Sequence, residues 1–525
     1  MLDTKKLISQ GDQLFTQRST LMLLWQDISE NFYPERSDFT VKREIGDDYA
    51  GNLTSSYPLL VRRELGDAIS SMLRPRGQEW FSISIDREEL LDSSSKQWLE
   101  WATGVQKRAM YDRLSQFVRA TKEGDHDFAS FGQCVISVEL DWSTTSLLYR
   151  CWHLRDVAWC ERYNGTIGDI HRNWCPSVRT LVSIFGKDKV HSKVVKRLDK
   201  DPHGTVKCRH IVIPVEDYEG DQKHRTPYVS IHIDLENNHL ISEAGSHSPI
   251  YCIPRWQTAS GSQYAYSPAT VAGLPDARLL QAMTLTLLEA GEMAVRPPLL
   301  ATKEALRSDL AIYAGGITWV DAQYDERLGE VLRPLTQDKS GLPFGMDVAE
   351  EKKQILQQAF YLNRLSLPPA DREMTAYETS QRIQEYIRNA LPLFEPMEDS
   401  YNGSVCDMTF DALFRAGAFG RLEDVPRALR GSNIRFRFES PLHQAIERQS
   451  GQKFLEAKGL LLEAAEIDPS AAATMDARKA LRDALEGIGV KNEWMRSEEA
   501  VEAHAQQQAE QQQSQQAIEM AQAAA

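Results

Sequence analysis

What this sequence lacks narrows its class before any motif is sought. No run of about 18 apolar residues occurs, so no transmembrane helix is expected. Met1 to Gly11 carries no apolar stretch of the kind a secretory signal needs, so none is expected there. Cysteine is scarce, with seven in 525 residues, an odd count. That does not suggest a disulfide framework and points to assembly in a reducing cytoplasm. Bulk positive charge is also missing. Sixty basic against 75 acidic residues leave a net charge of −15, which argues against a protein that coats DNA or anionic membrane through charge alone.

Signatures of catalysis are absent as well. There is no glycine-rich phosphate loop ending in Gly-Lys-Ser/Thr, and no Gly-x-Gly-x-x-Gly opening a helix after a strand. Neither a Gly-x-Ser-x-Gly nucleophile elbow nor a His-Glu-x-x-His zinc helix occurs. Glu289 and Glu292 sit at helical spacing, which a solvated helix face explains without catalysis. Ten of the twelve histidines and six of the seven cysteines fall between His126 and Cys252. Neighbouring cysteines such as Cys151 and Cys160 are nine or more residues apart, unlike the tight pairs of zinc sites. Cys134, Cys208 and Cys252 read instead as small hydrophobes inside strands. The expectation is therefore no catalytic centre, no cofactor and no metal.

What is present is an ordinary globular composition, 42% hydrophobic and 26% charged, over a length that allows about three to five structural units. Residues 1–125 read as mostly helical. Leu21, Leu24, Trp25, Ile28 and Phe32 recur at helical spacing up to Pro34, and a second helix runs from Tyr57 to Leu73. Phe81, Ile83 and Ile85 then alternate with polar residues as a short strand. Residues 126–256 read as β-rich. Cys134, Ile136, Val138 and Leu140, and later Val229, Ile231, Ile233 and Leu235, mark half-buried antiparallel strands, with turn chemistry at Tyr163-Asn164-Gly165.

Residues 264–415 are helical again but interrupted. One helix is expected over 274–296, stopped by Pro297-Pro298, and another over 347–365, with Val348, Ile355, Ala359 and Leu362 as its apolar stripe. The insert between them holds a strand at Ile317 to Val320. A loop over 366–374 ends the second helix. Thr375 and Glu378 form a capping box that starts a third, with a kink expected at Pro392 and Pro396. Residues 441–525 are a helical zone whose Ala/Gln/Glu-rich end offers a core little apolar surface. Basic clusters are short: Arg62-Arg63, Arg74 with Arg76, and Arg435 with Arg437 on the polar side of a strand. Solvated faces or ion pairs between subunits explain them; direct nucleic-acid contact is the other reading.

Several short motifs follow one another in an informative order. Arg74-Pro75-Arg76-Gly77 precedes Trp80-Phe81. Phe131-Gly132-Gln133-Cys134-Val135 opens the β-rich zone, with Cys134 where a second glycine is expected. Tyr264-Ala265-Tyr266-Ser267-Pro268 precedes Leu274-Pro275-Asp276 and a helix ending in Arg296-Pro297-Pro298-Leu299-Leu300. Met374-Thr375-Ala376-Tyr377-Glu378 comes next, with Arg382 one turn on, then Phe438-Glu439-Ser440-Pro441-Leu442. Asp476, Gly487-Ile488-Gly489-Val490 and Arg496-Ser497-Glu498-Glu499 close the series. In this order the chain resembles the portal proteins, or head-to-tail connectors, of short-tailed, podovirus-type bacteriophages.

The resemblance implies an α+β, predominantly helical portal fold of wing, stem, clip and crown that assembles into a ring with an axial channel. It implies a wing over 1–273 and 375–440, stem helices over 274–296 and 347–365, a clip over 297–346, a tunnel loop over 366–374 and a crown over 441–525. It further implies a homo-dodecamer at one capsid vertex of the virion, assembled in the host bacterial cytoplasm. Double-stranded DNA would pass through the ring in packaging and ejection. The partners implied are the terminase large subunit, major capsid and scaffolding proteins, and tail adaptor proteins, with no membrane. Arg364 and Arg372 flank the loop and are the candidate DNA-channel residues. A ring-forming head–tail adaptor or scaffold without a packaging role is the alternative.

Overall fold

A computed structural model describes residues 3–44, 46–77, 79–86, 92–141, 145–220, 224–295, 299–301, 332–334, 341–365, 397–421, 423–438, 454–464, 476–487, 490, 494 and 507. Helices α1 (Thr4–Gln17), α2 (Ser19–Phe32) and α3 (Tyr57–Leu73) lead to strand β1 (Phe81–Ile85) and helices α4 (Ser93–Met110) and α5 (Phe117–Phe131). Strands β2 (Val135–Asp141), β3 (Ser146–Trp152), β4 (Val157–Glu161) and β5 (Ile167–Trp174) precede short helices α6 (Val178–Phe185) and α7 (Ser192–Arg197). Strands β6 (Cys208–Pro214), β7 (Tyr228–Asp234), β8 (His239–Ser246), β9 (Tyr251–Cys252), β10 (Gln257–Thr258) and β11 (Ala265–Tyr266) follow. Helix α8 (Pro268–Val295), strands β12 (Leu299–Ala301) and β13 (Leu332–Pro334), and helices α9 (Gly341–Ala359) and α10 (Leu362–Leu365) come next. A π-helical turn (Glu398–Gly403) runs into α11 (Ser404–Arg415), with β14 (Ile434–Phe438) and α12 (Ala477–Gly487) beyond. The fold is α+β with helix predominant.

The chain divides into two compact units, of which the larger takes 1–20, 66–267 and 364–525. Its main sheet is antiparallel throughout, in the order β4-β5-β6-β7-β8. Ile211, Ile213, Val229, Ile231 and Ile233 line one face, and Leu7 and Ile8 of α1 cover them. The other face carries Cys208 and Ile241 beneath α6 and α7. The turn at Tyr163-Asn164-Gly165 closes the β4–β5 hairpin: the Arg162 N–H reaches the Thr166 carbonyl at 2.8 Å, and Gly165 takes φ +79°. A second sheet has the order β3-β2-β9, and β1 pairs with β14.

Two expectations need correction in this unit. The helical zone does not stop near residue 126, because α5 continues to Phe131. Strand β2 is not half-buried over its first half. Val135, Ile136, Ser137 and Val138 are all buried, since β2 is the central strand of its sheet and α5 and α11 pack against it. Gly132 ends α5 in the left-handed region at φ +73°, its N–H closing on the Phe128 carbonyl. A Cβ at Gly132 would stand 2.1 Å from the Tyr266 carbonyl carbon. The neighbouring bonds explain that closeness. Gln133 Oε1 accepts the Ala265 N–H at 2.9 Å, the Ser267 hydroxyl donates to the Ala129 carbonyl at 2.7 Å, and the Trp256 N–H donates to the Gly132 carbonyl at 2.8 Å.

The smaller unit takes 21–65 and 268–363. Its helices begin earlier than the sequence suggests. Helix α8 starts at Pro268, not Leu274, because proline suits the first helical position, and Pro275 lies inside it. Helix α9 starts at Gly341, not at residue 347. Pro343 falls in its first turn, where the missing N–H has no intrahelical acceptor to lose. It also stops at Ala359 and does not run to 365. Tyr361 takes φ +58° where Phe360 turns in against Phe32, with ring centroids 5.2 Å apart. Strands β12 and β13 pair antiparallel, so the two ends of the intervening insert meet. The expected strand at Ile317 to Val320, the kink at Pro392 and Pro396, and most of 441–525 lie outside the described residues.

Two glycines separate backbone strain from packing. Gly77 also has positive φ, at +85°, but a Cβ there would meet nothing within 4 Å. Gly77→Ala should cost about 1 kcal/mol from backbone conformation alone. Gly132→Ala adds a collision with backbone and should cost about 3 kcal/mol or more. Denaturation midpoints check this, and similar shifts for the two variants would show that the α5–β11 contact is loose.

Candidate functional site

In the smaller unit, α8 and α9 form an antiparallel hairpin. Position 273 on α8 faces Phe360 and Leu356, whereas Leu287 faces position 345. The hairpin's base is tied down. Gln281 Oε1 accepts the N–H groups of Thr54 and Ser55 at 2.8 and 2.7 Å. Lys352 pairs with Asp276 at 3.1 Å, and Arg278 pairs with Asp27. Ala269, Thr270, Gly273, Leu274, Ala277 and Leu280 keep helical spacing and are buried. Beyond Leu280 that protection ends. Leu285, Leu288 and Met293 are exposed, Val295 is 81% exposed, and Phe344 at the start of α9 is 72% exposed. Uncovered large apolar residues grouped on one element mark a contact surface.

The larger unit holds a buried ionic joint. Arg74 follows the last turn of α3 and is buried with Asp125 of α5; the side chains are 4% and 0% exposed, and the guanidinium meets the carboxylate directly. A second Arg74 nitrogen donates to Asn402 Oδ1 at 2.7 Å, and the guanidinium carbon lies 4.6 Å from the Tyr401 ring centre. Asn402 returns a bond from its amide to the Leu73 carbonyl at 3.3 Å, capping α3. Burial opposes the Arg74 charge, but Asp125 outweighs it and the guanidinium pKa is pushed up. Three segments distant in sequence therefore meet at one cation.

The expected site residues fare unevenly. Arg364 is exposed in α10. Arg372, Thr375, Glu378 and the whole 366–374 loop lie outside the described residues. Cys134, Cys208 and Cys252 are buried; Cys208 lies in β6 and Cys252 in β9, whereas Cys134 precedes β2 and is not in a strand. Among the described residues, no group of three or more His, Cys, Asp or Glu side chains is arranged to hold a metal ion. Arg74 and Arg62, read above as basic surface clusters, are buried. Arg62 donates to the Phe32 carbonyl at 3.1 Å. Their burial had one sequence signal: both interrupt runs whose neighbours, Val61, Leu65, Ile69 and Leu73, are fully buried.

A subunit that secures the base of a helical hairpin and leaves its far end apolar and uncovered is built to work as one copy in an assembly. The family model described as "Bacteriophage head to tail connecting protein" matches residues 4–495. The chain belongs to that family. It is 25% identical over 452 residues to the "Probable portal protein" of Bordetella phage BPP-1, covering 84% of this chain and 80% of that protein. It is 22% identical over 542 residues to the "Portal protein" of Salmonella phage epsilon15, covering 100% of this chain and 95% of that one. Among solved structures, a chain in the neck of an empty gene transfer agent particle shares 11% identity at a TM-score of 0.35, over 83% of this chain and 90% of that one.

The joint sets an expectation for stability. Arg74→Met strands a buried carboxylate and should destabilise the chain by about 3–5 kcal/mol. Adding Asp125→Leu removes the stranded charge and should restore more than half of that loss. Chemical denaturation of the single and double variants measures it, and equal losses in both would show the two charges to be uncoupled.

Proposed function

We propose that this chain is the repeating subunit of a portal, a ring at one capsid vertex whose axial channel passes double-stranded DNA in packaging and ejection. The family match over residues 4–495 carries this reading. The bare apolar end of the α8–α9 hairpin supports it, since neighbouring copies of the hairpin around a channel would cover those residues. In this reading α8 and α9 are the stem and the insert between them is the clip. Residues 1–273 and 375–440 make the wing, 366–374 the tunnel loop and 441–525 the crown, the stem ends shifting to the helix bounds given above. The assembled ring is a dodecamer that docks the terminase large subunit and later the tail adaptors, among capsid and scaffolding proteins. It is assembled in the host cytoplasm, works in the virion, and acts as a conduit with no catalytic centre, cofactor or membrane contact.

The charge of the hairpin fits a conduit. Asp276 and Arg278 are neutralised by Lys352 and Asp27. That leaves Glu289 and Glu292 exposed on the far half of α8. Each phosphate neutralised by a protein cation adds salt-dependent affinity, so a wall that conducts DNA needs few cations. Arg364, just before the tunnel loop, and Arg372, within it, would supply those few and brace the packaged genome. Thr375 and Glu378 would cap the helix that follows.

Ring formation tests the reading directly. Native mass spectrometry should give a particle near 714 kDa for twelve copies of 59.5 kDa, with an axial hole in negative-stain images. Leu285→Asp with Leu288→Asp would bury unpaired carboxylates at the contact. The ring fraction should then fall by about tenfold or more, while the single chain unfolds as before. A wild-type protein that stays monomeric or forms a compact dimer overturns the proposal. A ring that never enters capsids and docks no packaging ATPase favours the adaptor alternative.

Charge removal at the loop gives a separate test. Arg364→Gln with Arg372→Gln should leave ring mass unchanged and lower retention of packaged DNA several-fold. Unchanged retention, measured as nuclease-protected DNA per particle, removes the bracing role.

A further inference from the structure

A polar row crosses the larger unit between its two sheets. Arg172 of β5, His210 of β6 and His232 of β7 are direct cross-strand neighbours, on the face of the main sheet that carries Cys208. Tyr251 of β9, in the other sheet, reaches into the row. Its hydroxyl oxygen accepts from Arg172 Nε at 2.6 Å and also meets His210 Nδ1. His210 Nε2 lies 2.8 Å from the Ser230 hydroxyl. The His210 and His232 rings stack with centroids 4.1 Å apart and planes within 8°. Arg172 is buried, with its guanidinium 3.7 Å from the Trp152 ring centre, and neither its Nη1 nor the Nδ1 of His232 has a hydrogen-bond partner.

Counting protons fixes the state of this row. Tyr251 has one proton to donate, and its oxygen already accepts from a cation. His210 Nδ1 is the acceptor in contact with that hydroxyl, and accepts that proton in a hydrogen bond when it presents a bare lone pair. His210 is therefore neutral, with its own proton on Nε2 and donated to Ser230. We propose that the Arg172–Tyr251–His210 relay is an acid-operated joint between the two sheets, closed while His210 is neutral and released when Nδ1 takes a proton. A proton there would meet the Tyr251 hydrogen head-on. The new cation would also lie against His232 and beside Arg172.

The groups facing His210 are Arg172 from β5, His232 and Ser230 from β7, and Tyr251 from β9. Glu139 of β2 acts on Arg172 and Tyr251, and is itself pushed toward its neutral form by burial. Phe185 of α6 lies against His232, ring centroids 4.9 Å apart. Burial first, then the neighbouring His232 and Arg172, hold His210 well below the usual imidazole range; burial and Arg172 hold His232 down to about 3. Both are bases with lowered pKa in the closed state, whereas a released imidazole titrates near 6.5. The closed joint is therefore fully stable above about pH 6.5 and loses ground as pH falls below it. By about pH 5 each released imidazole favours opening by about thirtyfold.

Hydrogen exchange of the full-length protein, corrected for intrinsic rates, tests the joint between about pH 7.5 and about pH 5. Protection in β6 and β9 should fall by about thirtyfold or more, with little change in α3. His210→Gln can still accept from Tyr251 and donate to Ser230 but cannot titrate, so its loss of protection at the lower pH should shrink to the share that His232 contributes, about thirtyfold less than the loss in wild type. Equal loss in wild type and His210→Gln overturns the proposal by moving the sensitivity elsewhere, for example to His171 on the opposite face. The wild-type profile decides the matter even if that variant misfolds. Loss should set in near pH 6.5; loss that begins only below about pH 5, where carboxylates titrate, overturns it.

Discussion

Arg74 carries a full charge to a place where 4% of its side chain meets water, and the segments around it are constrained by that fact. A lone guanidinium there would cost several kcal/mol in lost hydration, and its attraction to Asp125 repays this only in good geometry with the other donors satisfied. Those donors are met by Asn402, and the flat face by Tyr401. The π-helical turn is what places Tyr401 and Asn402 side by side toward α3. An ordinary α-turn would rotate successive residues differently. The pair is thus better understood as a device that selects one arrangement of α3, α5 and the turn than as a source of net stability.

Gly132 imposes a similar constraint through volume. The stretch around Phe131-Gly132-Gln133 and the stretch around Tyr264 to Pro268 are separated by nearly the whole β-rich zone, yet their backbones touch at a distance that only a hydrogen side chain permits. Gln133 and Ser267 then lock the contact from either side. Two motifs that looked like independent family marks are the two halves of one joint. That joint sets where α8 begins, because Pro268 follows Ser267 directly.

Much of this was legible from residue pattern, but only where an element buries one side. Helix α3 and strand β1 fall where their periodicities put them, since polar and apolar residues sort cleanly when one side is wet. The pattern loses its meaning when burial is two-sided. Helix α5 exposes Val118, Arg119 and Lys122 yet buries both Asp125 and Asp127 among its apolar residues, which polar and apolar pattern alone does not show. Arg62 and Arg74 were misread because a cation can be buried where a carbonyl or a carboxylate meets it. Proline misled in another way. Both helices of the hairpin were expected to start later than they do, yet Pro275 lies inside α8 and Pro343 in the first turn of α9; a proline's cost depends on whether an N–H is missed at that position, which depends on where the helix starts. Of the proposed channel residues, Arg364 alone has a described position, so the site was less legible than the fold.

The two buried polar joints of the larger unit answer acid differently, and the difference follows from charge balance. At Arg74 the cation has a carboxylate in contact, and although burial pushes the Asp125 pKa up, a proton taken there removes an anion and adds no second cation. At Arg172 the direct partners are a phenol and aromatic faces, with His210 as its cross-strand neighbour. The one nearby acid, Glu139, is driven toward neutrality by burial. Such a cation tolerates neutral neighbours that accept or stack, but it does not tolerate a second cation. Replacing either imidazole by an apolar side chain would have given a more robust sheet pair, as buried polar groups often can be so replaced. The stacked histidines are therefore hard to explain by stability, and easier to explain if the two sheets must part under one condition and hold under another.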